Sequence, residues 1–127
     1  MSKYGEVAIR ALKLTLSGMS PHDSWEQIVK SMFPGKEASQ KKGCPRGAFL
    51  GLCQAGLVRG VPAGDYTQSL DNKRYAIRAV ELLSDNPSLA QAGPGRLWEC
   101  VMNGEKKTHN SQMDVVLALW HNGFLIG

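Results

Sequence analysis

The feature that most limits how this chain can fold is a repeat within it. Ala8-Ile9-Arg10-Ala11-Leu12-Lys13-Leu14 recurs as Ala76-Ile77-Arg78-Ala79-Val80-Glu81-Leu82, with five of seven positions identical at an offset of 68. The apolar run Ala48 to Leu57 aligns with Val115 to Phe124 at an offset of 67, so that Leu50, Leu52, Gly56 and Gly60 meet Leu117, Leu119, Gly123 and Gly127. Between these matches Trp25-Glu26 answers to Trp98-Glu99, and Gly35 to Gly104. Matches kept in one order point to a duplicated unit of about 60 residues. The repeats run from about 3–60 and 71–127, and the whole of 1–127 reads as a single domain.

Each unit reads as three helices. The first runs from Lys3 to about Ser17 and stops at Gly18. Lys3, Glu6, Arg10 and Lys13 share a narrow face, while Tyr4, Val7, Ala8, Ala11, Leu12, Leu14 and Leu16 fill most of the rest. The second opens at Ser20-Pro21-His22-Asp23, with Ser20 as cap, Pro21 at the first helical position and Asp23 placed for a capping box. Trp25, Ile28, Val29 and Met32 form its inward stripe, and Pro34-Gly35 ends it. A polar loop from Lys36 to Gly43 leads to the third helix, which begins at Pro45 and closes at Gly56.

In the second unit the matching helix begins at Ser111, with Asp114 three residues on as another capping-box signal. Its middle, Val115 to Trp120, is six apolar residues in a row, so it is read as buried all round. Gly47 and Gly51, one turn apart, admit another helix closely. The fold class is therefore all-α: two tandem three-helix units in one pseudo-twofold bundle, the two third helices central, with room for short extended pieces near 57–67. Leu and Ala number 25 against 12 Val and Ile, which agrees with helix.

Composition narrows the class further. With 43% apolar and 20% charged residues, the chain is neither disordered nor collagen-like. Arg10 and Lys13 interrupt any leader-like apolar run, and no stretch is long enough for a bilayer, so no membrane association is expected. Three cysteines without a CxxC pair imply reduced thiols and a cytoplasmic setting.

Charge is uneven. Residues 1–64 hold nine Lys and Arg against four Asp and Glu, while residues 65–127 hold six against seven. The excess lies in Lys36, Lys41, Lys42 and Arg46, with Cys44 among them, where the third helix starts. Free N–H groups there, with these cations, make an anion-binding site. The leading reading is a non-enzymatic interaction module holding an anionic ligand or an acidic protein surface through Lys36, Lys41, Lys42, Cys44 and Arg46.

A second reading takes Leu50 to Thr67 as the end of a winged helix that binds nucleic acid. It ranks lower because residues 45–55 offer only Arg46 and Gln54 to a groove. A third makes Cys44 a catalytic thiolate. No histidine adjoins it, however, and Leu50 stands where a phosphatase loop would need arginine. Cys100, His109 and His121 lack the paired spacing of a metal site. No GxGxxG, HExxH or GxSxG motif occurs. Neither a cofactor, a metal nor a catalytic set is specified, and the sequence is silent on oligomeric state.

The segments Gly43-Cys44-Pro45-Arg46-Gly47-Ala48-Phe49-Leu50-Gly51-Leu52-Cys53 and Asn72-Lys73-Arg74-Tyr75-Ala76-Ile77-Arg78-Ala79 resemble an uncharacterised family of small bacterial proteins, a domain of unknown function. The resemblance covers most of the length and implies a bacterial cytosolic protein, with no activity to transfer.

Overall fold

The computed structural model describes residues 2–126, and every regular element among them is helical. Helix α1 (Lys3–Leu16) begins where the Ser2 hydroxyl accepts from the Gly5 N–H at 3.0 Å. Its wide apolar arc is buried from Tyr4 to Leu12, whereas Leu16, read from the sequence as part of that arc, stands 48% exposed beyond the packed turns. Gly18, at φ 118°, takes the turn that a side chain would resist. In α2 (Pro21–Met32) the Ser20 hydroxyl accepts from the Asp23 N–H at 3.1 Å, and Trp25 and Val29 are fully buried. The Thr15 hydroxyl reaches the Ser24 hydroxyl at 3.0 Å, joining α1 to α2.

The expected loop from Lys36 to Gly43 contains one helical turn, α3 (Glu37–Gln40). One long-range and one local bond hold it: Tyr4 Oη donates to the Ser39 carbonyl at 2.8 Å, and the Gln40 amide to the Phe33 carbonyl at 2.8 Å. Helix α4 (Gly43–Gln54) starts two residues before the expected Pro45. Pro45 is tolerated inside the first turn because the N–H it lacks would have no intrahelical partner there. Pro45 and every residue from Gly47 to Cys53 are buried.

Helix α5 (Leu70–Asp85) is followed by a 3-10 segment at Pro87–Ala92 that sequence reading missed, then by α6 (Pro94–Met102) and α7 (Gln112–His121). Helix α1 packs on α2 and α7, α5 packs on α6 and α4, and α4 packs on α7. The close approach forecast at Gly47 and Gly51 is made with α5. A Cβ on Gly51 would lie 2.6 Å from Lys73 Cα, and one on Gly47 would lie 2.9 Å from Asn72 Cβ.

Helices α4 and α7 end alike. Gly56 (φ 76°) and Gly123 (φ 75°) donate to Cys53 and Trp120, and Leu57 and Phe124 donate to Leu52 and Leu119. The chains leaving them meet at one antiparallel bridge, Val58 to Leu125. The bonds Arg59 N–H to Phe124 C=O and Ile126 N–H to Leu57 C=O, both 2.8 Å, exchange with each other under the 67-residue offset.

The rest of 57–67 forms no strand. Gln54 Oε1 instead pins it, accepting from the Tyr66 N–H at 2.8 Å and the Thr67 N–H at 2.9 Å. No described helix is long and apolar enough to cross a membrane.

Candidate functional site

Because Gly47 and Gly51 have no side chains, the starts of α4 and α5 lie side by side. Neither start carries a side-chain cap on its N–H groups. Ser69, at the cap position of α5, spends its hydroxyl on the Asn72 amide, which donates to it at 2.8 Å. Asn72 Oδ1 in turn accepts from Gln112 Nε2 at 3.1 Å, and Gln112 Oε1 accepts from the Asn110 N–H at 2.7 Å. This chain of amides ties the start of α5 to the start of α7.

Beside it opens a cleft of about 520 Å³, walled by Cys44, Asn72, Tyr75, Trp98, Lys107 and Gln112 among others. It adjoins a second hollow of about 330 Å³ between Gly43–Gly47 and Thr67–Asn72, in which Arg46 is a wall residue.

The five residues proposed from sequence are only partly gathered here. Cys44 is half-buried and lines both hollows. Arg46 folds back toward the start of α4: a Cβ on Gly43 would lie 3.5 Å from Arg46 Nη2. Its guanidinium also faces Glu26 at 3.6 Å. Lys42 caps α4 by position and lays its ammonium over the Tyr4 ring, 5.4 Å from the centroid. Lys41 is paired with Glu37, one turn back along α3, and Lys36 is exposed at the start of that turn. Arg46 and Cys44 therefore face the hollow, while Lys36 and Lys41 belong to the exposed turn before it.

Cys53 is sealed in the core, and burial pushes its thiol up to about 12, which removes it from thiolate chemistry at neutral pH. No three His, Cys, Asp or Glu residues gather as a metal site among the described residues.

The expected capping box at Ser111 and Asp114 does not form. Ser111 has φ 69°, and its side chain makes no cap bond. His109 Nε2 replaces it, accepting from the Met113 N–H at 3.1 Å. That bond requires an unprotonated Nε2. Burial holds the His109 pKa below the ordinary 6.5; the Lys42 ammonium pushes the same way, and Asp114 opposes.

Since the unfolded chain binds the proton more readily, this cap's contribution is full above pH 6.5 and is lost as pH falls through the lower folded value. Urea unfolding should show native protein losing about 1 kcal/mol relative to His109→Gln between pH 7 and about pH 5. Parallel pH profiles for the two proteins would refute the cap.

Lys107 stood out in the sequence as part of a lysine pair, Lys106-Lys107, before the last helix, but Tyr75, Asn72, Trp98 and Gln112 were missed as wall residues. Their one local signal was that Asn72 and Tyr75 lie in the stretch that carried the family resemblance. Among described buried side chains, only Trp25 Nε1 and Tyr75 Oη lack a hydrogen-bond partner. Trp25 is enclosed against Phe49, but Tyr75 lies on the cleft wall.

No curated protein and no solved structure matches the chain. A family model does match, over residues 1–126. The chain therefore belongs to that family, a family of unknown function designated DUF6979.

Proposed function

We propose that the protein is a non-enzymatic helical binding module that holds an anionic group at the start of α4. The observation that carries this reading is the uncapped first turn of α4, open to a hollow, with the Arg46 guanidinium folded back beside Gly43. Backbone N–H groups at such a turn, the positive end of the helix dipole and a guanidinium act on the same oxygen atoms. Lys42 flanks the turn, and Lys36 adds an outer positive charge that steers an anion inward, while Lys41 is matched by Glu37.

The duplication is part of the proposal. The exchange of bonds between the two helix tails supports two tandem units, of which the first carries the basic cluster. Free thiols at Cys44, Cys53 and Cys100 fit a cytoplasmic setting. The winged-helix reading gains no support, since α4 is the helix a groove would have to receive and its middle is enclosed.

The test is calorimetric titration with inorganic phosphate and pyrophosphate. Lys41→Ala/Lys42→Ala/Arg46→Ala should keep the fold and weaken binding at least about tenfold, the effect of losing one charge-assisted bond. Unchanged affinity, or no binding to native protein, rejects the site. Duplex DNA binding that falls steeply with salt would move the assignment to nucleic acid.

A further inference from the structure

The 520 Å³ cleft is walled mostly by residues 68–112, and Arg46 is not among its lining residues. Tyr75 is 3% exposed, it lines the 520 Å³ cleft, and its hydroxyl has no partner. Buried hydroxyls are ordinarily paired, and an unpaired one destabilises the chain that carries it. What surrounds this hydroxyl indicates what would pair with it.

The neighbouring amides are not free to do so, because Asn72 and Gln112 are bonded to each other, to Ser69 and to the Asn110 backbone. The Lys107 ammonium stands over the Tyr75 ring, 6.0 Å from its centroid. Its pKa is raised first by the nearby Tyr75 hydroxyl, which can only accept from an ammonium, and then by Asp71, so the phenol's own proton still lacks an acceptor. A phenol beside a cation is suited to donate to an anionic oxygen that the cation also attracts.

Local charge limits how anionic that ligand is. Lys107 lies 3.8 Å from Asp71, and Arg74 lies 3.8 Å from both Asp71 and Glu105, so two cations are matched by two carboxylates. Such a balance leaves no net positive charge, which disfavours a phosphate dianion more than a singly charged ligand. The ring of Trp98, edge-on to Tyr75 at 5.2 Å, gives the cleft an apolar wall for the body of the ligand.

We propose that this cleft binds a small organic carboxylate, one oxygen accepting from the Tyr75 hydroxyl and facing the Lys107 ammonium. The ligand replaces Asp71 as the nearest anion to Lys107 and gives the orphaned hydroxyl its acceptor. The site is distinct from the phosphate-type site at the start of α4, although Cys44, Ser69 and Asn72 border both hollows.

The experiment uses acetate, succinate and benzoate as probes at about 10 mM, read by thermal shift. It also follows the Trp98 indole N–H signal in nitrogen-15 spectra, since Trp98 Nε1 donates to the Lys107 carbonyl at 2.9 Å and reports on that loop. At least one probe should raise the native midpoint and move the Trp98 signal.

Tyr75→Phe should melt no lower than native protein without ligand, because it removes only an unpaired hydroxyl. It should bind the probe at least about tenfold more weakly, as should Lys107→Ala. The Lys41→Ala/Lys42→Ala/Arg46→Ala variant should bind the carboxylate normally, so failure at one site is distinguishable from failure at the other. The proposal is overturned if none of the three probes binds, or if affinity survives in Tyr75→Phe. It also fails if Tyr75→Phe alone lowers the unliganded midpoint, which would mean the hydroxyl already has a partner.

Discussion

Gly51→Val should lower stability by about 3 kcal/mol, although glycine is the poorest helix former after proline. The reason is contact. Even the first added carbon would sit 2.6 Å from both Cα and Cβ of Lys73, so α4 and α5 must part to admit it. Separation there also opens the wall shared by both hollows. Gly51→Ala should show the same sign with a smaller effect, because about 1 kcal/mol of helix propensity offsets part of the overpacking. Gly95, inside the first turn of α6 with no heavy atom within 4 Å of an added Cβ, is the control. Gly95→Ala should stabilise by about 0.5 kcal/mol. Urea midpoints measure all three, and a Gly51→Val protein as stable as native would mean that the helices are not pressed together.

Phe49→Ala is expected to cost about 3–5 kcal/mol, a large share of the roughly 5–15 kcal/mol that holds a domain together. Phe49 is fully buried at the middle of α4 and tilts against Trp25 of α2, with ring centroids 5.4 Å apart. The loss combines the transfer of an aromatic ring to water with a void that Trp25 is too rigid to fill. Equilibrium unfolding followed by far-ultraviolet dichroism gives the number. A loss under about 1 kcal/mol would show that the centre of the bundle repacks freely, contrary to a close-packed core.

The helices were legible where local chemistry decides them. Ser20 before Pro21 marked a helix start because its hydroxyl serves a donor only three residues away, and Gly18 and Gly56 marked stops because backbone sterics act at single residues. The unbroken apolar run of α7 announced its burial. Ser111 misled because a capping box also requires extended backbone at the cap, and φ is set there by His109 and Gln112 engaging the turn from both sides.

The short turn α3 was hidden because Tyr4, remote in sequence, helps to hold it in place, together with the nearer Phe33 carbonyl. Glu37 and Lys41 did have helical spacing, but four residues are too few to declare a helix unaided. The site was least legible. The basic cluster could be counted, but Glu26, Glu37 and the Tyr4 ring redistribute it in ways that spacing does not encode. The cleft around Tyr75 draws walls from four separate segments, and no sequence window contains it.

The crossed packing of the bundle has a mechanical consequence. Helix α1 packs on α7 and α5 on α4, so the helix opening residues 3–60 and the helix opening residues 71–127 each brace the buried closing helix of the other segment. Prising away either half therefore strips cover from its opposite number, and strain introduced at one hollow is shared with the partner half.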